Sequence, residues 1–166
     1  MGVEMEQGNF KNLGDSIFKI ATAFLENEEL TKLLYYTNRA PLKEKSLSDE
    51  EKYKLINNNI LLTPELPQND GRMRSFISIE LDQFEPDDNA AFKTGVITIM
   101  VNCPLELWLL DDCSLRPFLI MSCVDGILNN KKIEGIGKVT FLSAEKYIAN
   151  KQYAGYVLAY GRTEFN

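Results

Sequence analysis

Apolar residues first recur with helical spacing at Leu13, Ile17, Ile20, Ala21, Phe24 and Leu25. From Ile17 onward they follow the i, i+3, i+4, i+7, i+8 spacing of one helix face. Asn12 or Asp15 can cap the start. The phase slips at Glu26-Asn27-Glu28-Glu29, and a new stripe begins at Leu30, Leu33 and Leu34. Asn27 is placed to cap this second stretch. Glu28 and Glu29 then sit in its first turn, where the positive end of the helix dipole favours carboxylates. The pattern predicts two short helices, or one kinked helix, over residues 13–37. Residues 38–75 are less regular. Ser48-Asp49-Glu50-Glu51 is a capping box and opens a short polar helix to about Asn57. Thr63 to Gly71, with Pro64, Pro67 and Asn69, reads as a loop. The whole 38–75 stretch is expected to be an irregular insertion or an assembly arm.

The period then changes from 3.6 to 2. Ile77, Ile79 and Leu81 alternate with Ser78, Glu80 and Asp82, a strand with one buried and one wet face. A polar loop from Phe84 to Lys93 follows. Val96 to Val101 is an apolar, largely β-branched run of the kind that fills a central strand. Pro104 marks an edge, bulge or bend. Leu105, Leu107 and Leu109 alternate with Glu106 and Trp108, which extends the strand signal. A second helix shows Asp112 or Ser114 as its cap, Pro117 in its first turn and a stripe of Ile120, Cys123, Val124, Ile127 and Leu128. Asn129, Asn130 and Gly135 are expected to end it. Two last strands are expected over 137–147 and 154–164, joined by a polar hairpin loop. Consecutive strands on short connections pair antiparallel, and the helices must cover one face. The expectation is a single α+β domain over 1–166, with a mostly antiparallel four- to five-stranded sheet and helices packed on one face.

Charge narrows the partners. The chain carries 18 Lys and Arg against 24 Asp and Glu, for a net charge of −6. Nucleic-acid binders need a clustered cationic surface to displace counterions, and anionic membrane surfaces demand the same. Neither a signal peptide nor an N-myristoylation motif is legible, since Glu6 stands where that motif wants Ser or Thr. The cysteines, Cys103, Cys113 and Cys123, are odd in number and lack CxxC spacing. They read as small apolar residues of a protein made in a reducing cytoplasm.

The chain has no histidine. The commonest general base, the commonest neutral metal ligand and every Ser-His or Cys-His nucleophile are therefore absent. The richest carboxylate cluster is Asp82, Glu85, Asp87 and Asp88, but its spacing does not match a calcium loop and no glycine supplies the turn. It reads as a solvated acidic loop. Gly135-Ile136-Gly137-Lys138 follows a helix and precedes a strand, the reverse of the order a phosphate cradle needs. No catalytic residue, metal ligand or cofactor site is expected, and the chain is not expected to be an enzyme. What remains is interface chemistry. Arg72 and Arg74 form a cationic pair beside the 63–71 loop, suited to an acidic neighbour. Trp108 shares the outward parity of Glu106. Tyr147, Tyr153, Tyr156 and Tyr160 crowd the final hairpin, and aromatic groups of this kind are enriched at protein interfaces. The subunit or partner interface is expected at Arg72, Arg74, Glu85, Asp87, Asp88, Trp108, Tyr147 and Tyr153.

Three phrases carry a resemblance: the run from Asn27 to Tyr36; Leu115-Arg116-Pro117-Phe118 leading to Ile127-Leu128-Asn129-Asn130; and Gly155-Tyr156-Val157-Leu158-Ala159-Tyr160. Together with the order of elements over 13–37 and 76–164, they make the chain similar to the tail-terminator and tail-completion proteins of long-tailed bacteriophages. The 38–75 segment is longer than that pattern. The resemblance implies a virion protein of the head–tail neck: a homo-oligomeric ring, commonly hexameric, that stops the tail tube and docks to the head connector. DNA would pass through an acidic lumen that repels its phosphates. The 96–110 segment, more apolar than a monomer's sheet edge should expose, favours assembly. The rival from another class is a monomeric acidic module that binds or inhibits a basic protein partner.

Overall fold

A computed structural model describes residues 13–68, 71–86 and 92–165. Four helices, α1 (Leu13–Leu25), α2 (Glu28–Tyr35), α3 (Asp49–Leu55) and α4 (Arg116–Leu128), accompany strands β1 (Ile60–Leu61), β2 (Phe76–Pro86), β3 (Phe92–Pro104), β4 (Lys131–Ile133), β5 (Gly137–Ile148) and β6 (Tyr153–Phe165). The strands form one six-stranded sheet in the order β1-β2-β3-β6-β5-β4. Only β1 and β2 run parallel; every other neighbouring pair is antiparallel. The fold is α+β with a mostly antiparallel sheet, and the strands beyond the expected four or five are the very short β1 and β4.

The helices form because their caps and stripes agree. The break at Glu26-Asn27 separates two helices, and Asn27 Oδ1 accepts the Leu30 N–H at 2.8 Å. Ser48 and Glu51 satisfy each other's backbone donors as a full capping box, and α3 ends at Leu55. Ile20, Ala21 and Phe24 of α1, Leu30, Leu33 and Leu34 of α2, and Ile120, Val124 and Leu128 of α4 are buried. They meet Ile77, Ile79, Ile97, Ile99, Val101, Leu158 and Tyr160 from one face of the sheet. The 38–75 stretch contributes to this core through Leu47, Leu55 and Ile60.

Five expectations differ. β2 reaches Pro86 and β3 starts at Phe92, so both ends of the expected 84–93 loop are strand, and its middle, 87–91, lies outside the described residues. Residues 105–109 are not a strand: Leu105–Leu107 is a 3-10 turn, with the Trp108 N–H bonded back to the Leu105 carbonyl at 3.3 Å. The proline ends the ladder, and the leucine alternation after it has no strand to join. Asp112 and Ser114 do not cap α4; Asp112 accepts from Ser114 in the preceding turn, and Leu115 holds the cap position with no side-chain bond. Gly135, at φ +77°, turns β4 into β5 rather than ending α4, which stops at Leu128. Finally, β3 is a central strand between β2 and β6, with Ile97, Ile99, Val101 and Cys103 at 0% exposure. Its apolarity belongs to the core, so residues 96–104 give no argument for assembly, while Leu105 and Leu109 beyond them are 46% and 48% exposed.

Candidate interaction surface

Most apolar side chains of α4 follow the buried stripe, but Phe118 lies off it and is 45% exposed. Its ring meets Tyr156 at 5.3 Å, and Tyr156 meets Trp108 at 6.3 Å. These three rings run across the helix-covered side of β6. A groove of about 350 Å³ separates α4 from β5, lined by Phe118, Met121, Asp125, Phe141, Ala144 and Leu158. Phe141 is 40% exposed and packs edge-on against Tyr160 at 5.7 Å. On the groove wall the Tyr160 hydroxyl donates to Asp125 Oδ1 at 3.0 Å. Burial, reinforced by Asp125, raises the Tyr160 hydroxyl well above the usual phenol range. Beyond the groove β5 is exposed on nearly its whole length. At the bulge between Phe141 and Ser143, Leu142 is 56% exposed and lies over Gly161, on the sheet face opposite Phe141; Ile148 is 70% exposed. Single exposed apolar groups are ordinary, but two exposed rings lining one groove, Phe118 and Phe141, mark a candidate interaction site.

The residues singled out from the sequence do not form one patch. Arg72, Arg74 and Tyr153 come together on the opposite face of the sheet, where residues 62–68 and 71–74 close over it. The buried Tyr153 hydroxyl donates to the Arg72 carbonyl at 2.8 Å, and its ring tilts against Phe76 at 6.1 Å. The Arg74 guanidinium binds Glu65 and the Asn58 carbonyl, and it sits 4.7 Å from the centre of the Phe76 ring. Asn150 adds a bond from its amide to the Pro67 carbonyl at 3.1 Å. These groups hold the loop to the sheet. Tyr147 is half-buried beside them; burial pushes its hydroxyl up to about 12, and that oxygen has no hydrogen-bond partner. Asn102, fully buried and two strands away across Gly155, also has both amide atoms unpartnered. Trp108 belongs to the α4 side, half-buried, with Nε1 donating to the Cys103 carbonyl at 3.1 Å. The backbone of Glu85 pairs with Thr94 at the distal end of the β2–β3 hairpin. Asp87 and Asp88 lie outside the described residues.

Phe118, Phe141, Leu142 and Ile148 escaped the sequence reading. A signal for Phe118 existed: with Leu119 and Met121 it is one of the large apolar residues of α4 that lie off the stripe. Leu142 had none, because alternation cannot anticipate a bulge. Among the described residues no group of three or more His, Cys, Asp or Glu is placed to hold a metal ion. No described helix is long and apolar enough to cross a membrane.

In comparison with known proteins, the model of the YomW family, whose name is phage-derived, matches residues 27–161. No curated protein matches the chain.

Proposed function

The chain belongs to the YomW family, and from that premise we propose that it is a structural subunit of a phage neck or tail-end ring, one that terminates the tail tube and joins it to the head connector. The observation that carries this reading is the pair of exposed rings Phe118 and Phe141 on the groove between α4 and β5, 45% and 40% exposed. An acidic chain that keeps such groups in water gains from covering them with protein. Its partners on this reading are further copies of itself in a ring, commonly a hexamer, together with the tail tube and connector proteins. DNA passes through the lumen without specific binding, since a net charge of −6 repels phosphate. The same charge favours a second reading, a monomeric acidic module that binds or inhibits a basic protein.

Light scattering after size exclusion, with negative-stain images of any large species, tests the two. The ring reading expects closed particles of about six subunits with an open centre. A chain that stays monomeric at high concentration overturns it and moves the acidic module into first place.

A further inference from the structure

The six-stranded sheet has two outer edges that its own end strands leave mostly open. β1 reaches only Ile77 and Ser78 of β2. β4 reaches only Gly137 to Val139 of β5, and the Phe141 N–H is taken by Asn129 Oδ1 at 3.0 Å. Among the described residues no strand pairs with the outer side of 79–86 or of 142–148. Open edges are templates for another strand.

The two edges differ in charge. β2 contains Glu80, Asp82 and Glu85 and no cation. β4 and β5 contain Lys131, Lys132, Lys138 and Lys146 against a single carboxylate, Glu145. Lys131, Lys132 and Lys138 lie at the β4-paired end, and the free stretch 142–148 holds Lys146 beside Glu145; in a chain of net charge −6, the β2 side of the sheet therefore gathers acid and the β4–β5 side gathers base. Their directions also match. Each step from β2 through β3 and β6 to β5 is antiparallel, so β5 runs opposite to β2. A second copy set beside the first with its sheet facing the same way brings β5 of one against β2 of the next in antiparallel order. The alternation of the sheet then continues unbroken across the seam.

We propose that copies of this chain join head to tail, the free stretch of β5, on the basic β4–β5 side of the sheet, in one pairing with the acidic free edge of β2 in the next. The proposal rests on the ring reading and names its seam. A contact between two different surfaces is heterologous, so it repeats around a ring and leaves neither edge uncovered once the ring closes. Each edge strand carries a bulge, between Asp82 and Glu85 in β2 and between Phe141 and Ser143 in β5. Bulges bend and coil a strand, which supplies curvature for closure. The seam also covers the β5 flank of the apolar groove.

Two charge-reversed proteins test the pairing: Lys138→Glu with Lys146→Glu, and Glu80→Lys with Asp82→Lys. The thermal midpoint of each confirms that it folds. Each alone is expected to associate at least about tenfold more weakly than the original chain, with the loss read by light scattering. An equimolar mixture is expected to regain the original mass, because every seam then joins opposite signs. Amides of 79–86 and 142–148 are expected to exchange more slowly in the assembled protein than in either variant. If the original chain assembles but neither variant lowers its mass, or those amides are no slower, the seam lies elsewhere and the ring reading survives without it. A mixture that stops at dimers means that like edges meet across a two-fold axis and overturns the head-to-tail order. An original chain that never assembles overturns the ring reading, and this seam with it.

Discussion

At Gly155 a methyl group is excluded by backbone alone. A Cβ built there would lie 1.6 Å from the Val101 carbonyl oxygen of the neighbouring strand β3. No side-chain rearrangement relieves such a contact; the strands themselves must separate. Gly155→Ala is therefore expected to cost about 3 kcal/mol or more, at the upper end for overpacking a close-packed interior. Urea unfolding measures it, and an unchanged midpoint would mean that β3 and β6 have room to part. Gly95 serves a different purpose. A Cβ there would come within 2.9 Å of Arg162 Nε, so the glycine leaves space for the buried Arg162 side chain, which reaches the Phe84 ring at 5.5 Å. Neither role is visible in the identity of the residue. A glycine in a strand pattern signals close approach, but not what approaches.

Between elements, the strongest single tie is Arg116. It opens α4, is fully buried, and donates to four backbone carbonyls. Nε bonds Leu107 at 3.0 Å, Nη1 bonds Leu33 at 2.6 Å and Tyr36 at 3.0 Å, and Nη2 bonds Asn38 at 2.6 Å. Leu33 and Tyr36 lie at the end of α2, where carbonyls lack helical partners and the dipole is negative. One guanidinium thus closes α2, pins the 3-10 turn and positions α4. Burial lowers its pKa, although a cation surrounded by carbonyls stays protonated at neutral pH. Arg116→Met is expected to destabilise by about 3 kcal/mol or more, because it strands several buried acceptors. Arg116→Lys should recover only part of that, since an ammonium lacks the planar fork. Denaturant midpoints of the two variants check the order. A lysine variant as stable as the original would show that charge, rather than geometry, ties these elements together.

Over the whole molecule, burial governs how stability responds to pH. Burial pushes the Cys103 and Cys123 thiols from an ordinary 9.0 up to about 12, and the Tyr147 hydroxyl from 10.0 up to about 12. Each raised value means that the folded state holds a proton the unfolded chain has already lost. The unfolded chain therefore binds fewer protons in this window, and stability falls as pH rises. The contribution is intact below about 9 and is lost progressively towards about 12. Cooperative unfolding is expected within that range, followed by far-UV circular dichroism. Thiol titration gives a linked readout: Cys113 is exposed while Cys103 and Cys123 are buried. One thiol should react in the native protein and all three once the alkaline transition is passed. Fast reaction of all three at neutral pH would mean that the core opens without unfolding.

Local physics settled much of this molecule before any tertiary contact formed. Asn27 divides α1 from α2, Ser48 and Glu51 start α3, and alternation in β2 and β6 marks which side chains face the helices; all rest on neighbours within a few residues. The absence of histidine and the acidic balance likewise follow from composition alone. Sheet order does not. The apolar run of β3 reads the same at a centre or an edge, and only its pairing with both β2 and β6 places it inside. The tyrosines divide for the same reason. Tyr153 seals a loop, Tyr160 meets Asp125, and Tyr156 joins Trp108 and Phe118, according to the strand face each occupies and what crosses it. Arg74, legible as a free surface cation, is engaged by Glu65, Asn58 and Phe76 because the loop folds back over the sheet. The two open edges exist only because β1 and β4 stop short, an outcome of chain reach and turn placement that no window of sequence contains.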